Sequence, residues 1–499
     1  MKTIKKLLVV AMLLPLLSAC SWLDVDSDTY ILEEDLFSTE DGYFSALNGI
    51  YLLLSDDVLY AQNLTKGIPT ILSGFYSSLT FSKNTGYYEI SSGELDAANT
   101  ETLTGNVWSA AYTAIANCNN LINYTEEAAT DMFSSCAREM ILGEALAIRA
   151  FLHFEMLTLF APAIGEDGAD DKRIPYVDDY PIHQPEYKTA QEVLDLVIAD
   201  FVEAREYLKE LDVELNPSNM TSANLFNNFM ISSDQLAYSI RGTHLNYFAT
   251  SVLLCRAYMY NGDYASAKAI AQELYEYGPD GSGTQLFSFT DVTAFELKHE
   301  EDVLFATYNT NMMDSYVNTY LAYSHTLNST NIPALFSGQT DYDIRYSKLI
   351  SVVEPTYSWE DPYYFSKRWR LGTEDEDTSG FDYSLSPIVR FSEVYHMLAE
   401  CYARENLLDD AMTILNQMRQ NRGKFYTGTD EFGAVISRPY MPLVGATTME
   451  EAISEITKEY ARESLDEGRA FWMYKRTGYD TGKESTLNVP QVETDYMTL

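Results

Sequence analysis

Residues 249–277 read ATSVLLCRAYMYNGDYASAKAIAQELYEY. Apolar residues recur at helical spacing on both sides of Asn261-Gly262-Asp263, where glycine ends a first helix and aspartate caps a second. Small Ala257, Ala267 and Ala271 let the two helices approach closely. An offset of 144 positions produces a second copy: Leu254 becomes Leu398, Tyr258 becomes Tyr402, Gly262 becomes Asn406, Ala267 becomes Ala411 and Ala271 becomes Leu415. The chain therefore contains two helical hairpins of one pattern. A lone hairpin buries too little surface to be stable, so the copies must stack on further helices.

The order alanine, tyrosine, glycine-x-tyrosine and alanine in the first copy is that of a tetratricopeptide hairpin, although the copies are not in tandem. Two more pairs complete the expected stack: Glu144 to Phe160 with Ala190 to Leu208, and Glu450 to Ser464 with a helical end near Trp472. In AQEVLDLVIADFVEAREYL, Val193, Leu194, Val197, Ile198, Phe201 and Val202 form the apolar face and acids the solvated one. Trp108, Tyr112, Ile115, Ala116, Leu121 and Ile122 mark another core helix. The stretches near 65–104, 278–335 and 351–386 are rich in Tyr, Ser, Thr, Asn and Asp and read as loops and short strands. Ordered excursions of that length on a rigid scaffold are where binding residues concentrate.

The amino terminus is a processing signal, not part of the fold. Lys2, Lys5 and Lys6 precede an apolar run from Leu7 to Leu17, followed by Ser18-Ala19-Cys20. That run is too short to span a bilayer, and the order matches a lipobox whose cysteine is acylated. Residues 1–19 are read as signal peptide, Cys20 as the lipidation site, 20–34 as a tether and 35–499 as one composite domain. Acyl chains, at about 0.8 kcal/mol per buried methylene, hold such a protein at a membrane.

The 499 residues carry 33 basic and 74 acidic side chains, a formal charge of -41, and loss of three lysines with the signal makes it more negative still. Phosphate backbones require clustered Lys and Arg, so nucleic acid is excluded as a partner. Neutral or cationic ligands suit the charge. The 38 tyrosines exceed what the core needs and supply stacking surfaces with polar tips. Cys118, Cys136, Cys255 and Cys401 form no C-x-x-C pair and read as buried free thiols.

No phosphate-binding, dinucleotide, H-E-x-x-H or G-x-S-x-G motif is present in the sequence. The six histidines are scattered, and His153 and His396 fall within helices, where each reads as a satisfied core or surface residue. No metal or other cofactor is expected. The acidic runs at 166–171 and 374–377 offer hard oxygens for a structural calcium but lack EF-hand spacing, so they read as solvated loops. Carboxylates are too abundant for pairs to signal a glycosidase.

Sugar capture needs flat aromatic faces against a pyranose and polar groups for its hydroxyls. The candidates are Tyr76, Tyr87 and Tyr88 in the first long stretch, Tyr316, Tyr320 and Tyr323 in the second, and Tyr357, Trp359, Tyr363 and Tyr364 in the third. Asn84, Asn311 and Asn318 are their polar companions. Each aromatic has a competing reading as packing between loop and scaffold.

Read in order, several stretches carry a resemblance. They are Phe44-Ser45-Ala46-Leu47-Asn48-Gly49-Ile50-Tyr51, Cys118-Asn119, Arg149-Ala150-Phe151, Ile174-Pro175, the 249–277 hairpin and Pro387-Ile388-Val389-Arg390-Phe391. Leu398-Ala399-Glu400, Leu415-Asn416-Gln417-Met418-Arg419 and Glu467-Gly468-Arg469-Ala470-Phe471-Trp472 follow. Together with the lipobox, the chain resembles the SusD/RagB family of outer-membrane nutrient-binding lipoproteins over most of its length. The resemblance implies an all-α, tetratricopeptide-like scaffold with a loop-built ligand face, packed as a lid on a SusC-like TonB-dependent transporter. Its expected ligand is a glycan, bound without catalysis. A peptide-binding member of the family, a surface glycosidase and a purely structural subunit are the alternatives. One departure, Glu459-Tyr460 and Glu463-Ser464 where the family often has Glu-Arg and Glu-Leu, is expected to weaken one structural ion pair.

Overall fold

The computed structural model describes residues 33–77, 80–181, 185–227, 238–290, 300–312, 326–354, 357, 362–369, 384–430 and 433–490. Its helices are α1 (Glu40–Leu54), α2 (Ile68–Leu72), α3 (Gly86–Ser92), α4 (Ala98–Glu127), α5 (Ala137–Phe160), α6 (Ala190–Lys209), α7 (Tyr247–Tyr260) and α8 (Tyr264–Tyr275). α9 (Asn331–Leu335), α10 (Ile344–Leu349), α11 (Ser392–Arg404), α12 (Leu408–Gln420), α13 (Met449–Glu463) and α14 (Ala470–Thr477) follow. Short helical turns, among them π turns at Asn63–Gly67 and Glu210–Leu215, complete the helical part.

The repeat at an offset of 144 positions is structural. α7 and α8 form one hairpin, α11 and α12 the other, and both turn through a left-handed residue: Gly262 at φ +73° and Asn406 at φ +62°. Glycine adopts that conformation without strain and asparagine is next most tolerant, so the substitution leaves the turn intact. The Asp263 amide donates to the Tyr258 carbonyl at 2.9 Å, and the Leu407 amide to the Tyr402 carbonyl at 2.9 Å. Asp263 caps α8 by accepting from the Ser266 amide at 3.1 Å, whereas Leu407 offers α12 no such bond. Ala257, Ala267 and Ala271 are fully buried between the helices. α8 packs on α11, joined by Lys268 to Glu405 at 2.6 Å and Arg404 over the Tyr264 ring, and reaches α12 through Tyr275, which donates to Gln417 at 3.0 Å.

α5 is buried on nearly all sides and lies between α4 and α6. A helix apolar all round belongs at the centre of a large core. Its Arg149 forms a two-point ion pair with Asp200 of α6, at 2.7 and 2.8 Å, and donates to Asn119 of α4 at 2.9 Å. A buried arginine fork with every partner satisfied fixes the three helices in register. Thr189 and Glu192 form a capping box at the start of α6. Its inner stripe is Val193, Leu194, Val197, Phe201, Ala204 and Leu208. Val202 lies outside that stripe and is exposed, and Asp200 faces inward. The helical period carries the stripe from Phe201 to Ala204 and Leu208, turning Val202 toward solvent.

The second half is held differently. Arg345 pairs with Asp343, Glu459 and Glu463; Arg419 with Glu459; Arg422 with Glu463 and Asp302; and Arg390 with Asp302 and Glu467. Arg469 joins Glu467 to Glu393, which Arg256 grips at 2.7 Å from α7. All of these residues are buried. The expected weakening at Glu459 and Glu463 does not occur, because α10, α12 and the turn after α12 supply the arginines. Neighbouring guanidinium groups hold the carboxyls of Glu393 and Glu467 down to about 2, against the cost of burial.

The strands form small antiparallel sheets: β1 (Ile174–Pro175) with β2 (Tyr187–Lys188), β3 (Val303–Tyr308) with β7 (Leu385–Arg390), and β8 (Lys424–Thr429) with β9 (Val435–Tyr440). The fourth, in the order β4 (Thr326–Leu327), β6 (Tyr363–Ser366), β5 (Ile350–Val353), builds the site below. Among the described residues, Cys118, Cys136, Cys255 and Cys401 are buried free thiols. His153 and His396 are core residues, His153 bonding to Val177. Among the described residues no helix is long and apolar enough to cross a membrane.

The stretch 65–104 departs from the expected loop. It contains α2, α3 and the start of α4. Helices of five and seven residues complete too few turns to show a period in sequence.

Candidate functional site

Three chain segments, each from a different long excursion, are zipped into one sheet. Tyr76 bridges Leu327 of β4; the Ser77 amide donates to the Thr326 carbonyl at 3.0 Å and the Asn328 amide to the Phe75 carbonyl at 2.7 Å. β4 pairs with β6 at Thr326–Phe365 and Leu327–Tyr364, and β6 pairs with β5 from Ser366–Ile350 to Tyr363–Val353. Side chains alternate across a strand, so Tyr363 and Tyr364 of β6 point to opposite sides. Tyr363 is 48% exposed beside Val353, which is also 48% exposed, whereas Tyr364 packs partly against the core. Tyr357, between β5 and β6, is 52% exposed. β5 is the edge of this sheet.

Of the expected aromatics, then, Tyr357 and Tyr363 present rings to solvent and Tyr364 lies half-buried beneath them. Tyr88 is half-buried on α3, and Asn84 is exposed in the turn before it at φ +63°. Asn311 is exposed beyond β3, outside this sheet, with its amide bonded to Asn309. Tyr316, Asn318, Tyr320, Tyr323 and Trp359 lie outside the described residues, as do Cys20 and the acidic run 374–377.

Two expected ligand residues are packing residues instead. Tyr76 is buried, and its hydroxyl donates to the Asp466 carboxylate. Tyr87 donates to Asn63 and accepts from Gln62 at 3.0 Å, and burial pushes its phenol well up. Phe81 lies between the two rings, 5.7 Å from each. This aromatic row ties the face to the π turn ahead of α2.

Asp466 lies in the turn between α13 and α14. Besides Tyr76, its carboxylate accepts from the Ser366 hydroxyl at the end of β6, and its carbonyl accepts from Trp369 Nε1 at 2.7 Å. Burial pushes its carboxyl up to about 6, opposed by those hydrogen bonds and by the charges of Arg368 and Lys66. Lys66, buried 4.6 Å over the Trp369 ring, is pulled down to about 8 by the same burial. Gly468 lets this turn press on the π turn: a Cβ there would lie 2.7 Å from the Thr65 carbonyl oxygen. Nothing local in the sequence marks Asp466 or Trp369.

A second aromatic group was absent from the sequence expectations. On the β8–β9 hairpin, Tyr440 lies 6.0 Å from Tyr342 and 6.2 Å from Tyr426, and Phe425 is exposed. The alternation in Lys424-Phe425-Tyr426-Thr427 and Val435-Ile436-Ser437 is the signal that would have found it. Near the start of α4, a cleft of ≈ 250 Å³ is lined by Asp96, Thr100, Glu101, Thr104 and Asn488. Among the described residues no group of three or more His, Cys, Asp or Glu side chains is placed to hold a metal ion. Glu166 of the acidic run 166–171 accepts from the Ala163 amide, and Asp171 pairs with Arg173.

Residues 225–495 match the SusD family, and residues 21–223 match a related family described as starch-binding, associating with the outer membrane. No curated protein matches the chain in sequence. Among solved structures, a SusD superfamily protein from Bacteroides thetaiotaomicron aligns with TM-score 0.62 and 20% identity, over 88% of this chain and 89% of that one. A SusD-like carbohydrate binding protein from Bacteroides vulgatus aligns with TM-score 0.62 and 17% identity, over 88% and 83%. NanU of B. fragilis aligns with TM-score 0.60 and 17% identity, over 93% and 94%. At these identities the structural likeness establishes the fold, and with the family match across the carboxy-terminal half, this chain belongs to the SusD family.

Proposed function

We propose that this protein is a lipid-anchored outer-membrane lipoprotein, facing the cell exterior, that captures an oligosaccharide or polysaccharide and delivers it to a SusC-like TonB-dependent transporter, breaking no bond itself. The observation that carries the reading is the sheet joining Tyr76, β4, β5 and β6. It gathers three long excursions onto a rigid helical scaffold and leaves Tyr357 and Tyr363 exposed. Tyrosine stacks on the apolar face of a pyranose while its hydroxyl stays wet. Cys20, directly before the first residue of the family match, is the proposed lipid attachment.

Binding without cleavage is favoured by where the buried acids are. Glycoside hydrolysis uses two carboxyls flanking the scissile bond. Glu393, Glu459, Glu463 and Glu467 are instead locked to arginines inside the scaffold. The strong negative charge suits a neutral glycan and would also attract a basic peptide.

The test is calorimetry of the soluble protein, starting after Cys20, against polysaccharides, oligosaccharides and basic peptides, with the same mixtures assayed for cleavage products. Saturable binding to a glycan with the glycan intact is the expected result. Binding to peptides alone, or cleavage, overturns the reading.

A further inference from the structure

We propose that Asp466 is the positioning residue of the ligand face: through its buried carboxylate and its main-chain carbonyl, carried by the scaffold, it holds the first and third excursions in the register that presents Tyr363. The inference rests on the glycan reading and adds to it the residue through which scaffold and face are joined. The bonds converge from separate parts of the chain. Tyr76 approaches the carboxylate from the strand that bridges β4 and Ser366 from the last position of β6, while Trp369, in the turn beyond it, donates to the main-chain carbonyl. β4 lies between the first two, so its register with both follows from theirs.

The turn that carries Asp466 is itself rigidly held. The next residue, Glu467, is bound by Arg368, Arg390 and Arg469, and Gly468 lies against the Leu64 and Thr65 carbonyls. Asp466 therefore transmits scaffold position to the sheet and cannot drift with it. The charged or titratable groups that face it are Lys66 from the π turn, Tyr76 from the first excursion and Arg368 from the third. An ionised carboxylate accepts both hydroxyl bonds and balances those two cations. Burial raises its pKa to about 6 against an ordinary 3.8, so by linkage the anchored arrangement favours the protonated form and its hold is not lost as pH falls.

The test compares the wild-type protein with Asp466→Asn, which keeps the shape and one acceptor and abolishes titration. Hydrogen exchange at neutral pH is expected to rise in D466N for peptides covering 75–80 and 362–369 and to stay unchanged across 249–277. D466N is expected to bind the glycan found by calorimetry roughly tenfold more weakly than the wild type at neutral pH, the scale of one charge-assisted hydrogen bond. Tyr76→Phe, which removes the donor and leaves Asp466 ionised, is expected to loosen the same peptides at neutral pH. Unchanged exchange in both variants, or D466N affinity equal to that of the wild type, overturns the proposal. Altered exchange in a protein that binds no glycan retains the anchor and rejects the glycan reading.

Discussion

The helical hairpins and the small sheet solve opposite problems with the same chain. α7–α8 and α11–α12 bury alanines between their helices, turn through residues whose conformation is locally encoded, and lie against a network of arginines and carboxylates. The sheet of β4, β5 and β6 is only two to four residues deep, has an exposed edge, and is tied down at a few points, of which Asp466 is the most connected. A rigid scaffold tolerates variation in what it carries, because side chains facing outward from a loop-borne sheet contribute little to folding. Binding capacity is thereby separated from stability: the first should change with Tyr363, the second with Arg390.

The largest expected effect is on the scaffold. Arg390→Ala takes one guanidinium from both Asp302 and Glu467, leaving Arg422 on the first and Arg368 and Arg469 on the second, and removing one partner of a buried pair costs about 3–5 kcal/mol. Denaturant unfolding should show that loss, and a shift under about 1 kcal/mol would break the contrast.

Acid should act on the same network. The carboxyls of Glu144, Glu393 and Glu467 lie at about 2 in the folded protein, against ordinary values near 4.5. Because these values are lowered by folding, their stabilisation is complete above about pH 4.5 and is lost as pH falls toward about 2, at most about 3 kcal/mol for each group. Thermal melts across that window should fall steeply, whereas a flat profile would mean the carboxylates are not held as salts.

Tyr363→Ala sharpens the comparison from the other side. Its expected cost is about 1–1.5 kcal/mol in glycan affinity, with stability within about 0.5 kcal/mol of wild type, read by calorimetry and melting in parallel. The smallest effects belong to the hairpin turns. Gly262→Ala forces a Cβ into left-handed backbone and should cost about 1 kcal/mol, while Asn406→Ala should cost less because asparagine already bears part of that strain.

What could be read from sequence follows the same division. The hairpins are legible because their signals lie within 30 residues: helical periodicity, small alanines, a glycine and a capping aspartate. The buried thiols are legible because nothing near them has the spacing of a site. The face is legible only as a population of tyrosines in non-helical sequence. Tyr76 and Tyr357 look alike in sequence, yet one is buried and the other exposed. Tyr76 is buried because of Asp466, 390 positions away, and no local pattern encodes so remote a partner. Glu459 and Glu463 teach the same lesson: beside the local Arg462 on Glu459, their arginines come from α10, α12 and the turn after it. The β8–β9 hairpin was legible in principle, through its alternation, and its tyrosine group shows that solvent-exposed aromatics are not confined to the three longest excursions.

The most direct test of the account is a hydrogen-exchange footprint of the soluble protein with and without a saturating glycan identified by calorimetry. Protection is expected at 326–328 and 362–366 with no change across 249–277. Protection confined to the β8–β9 hairpin or to the helical hairpins would contradict it.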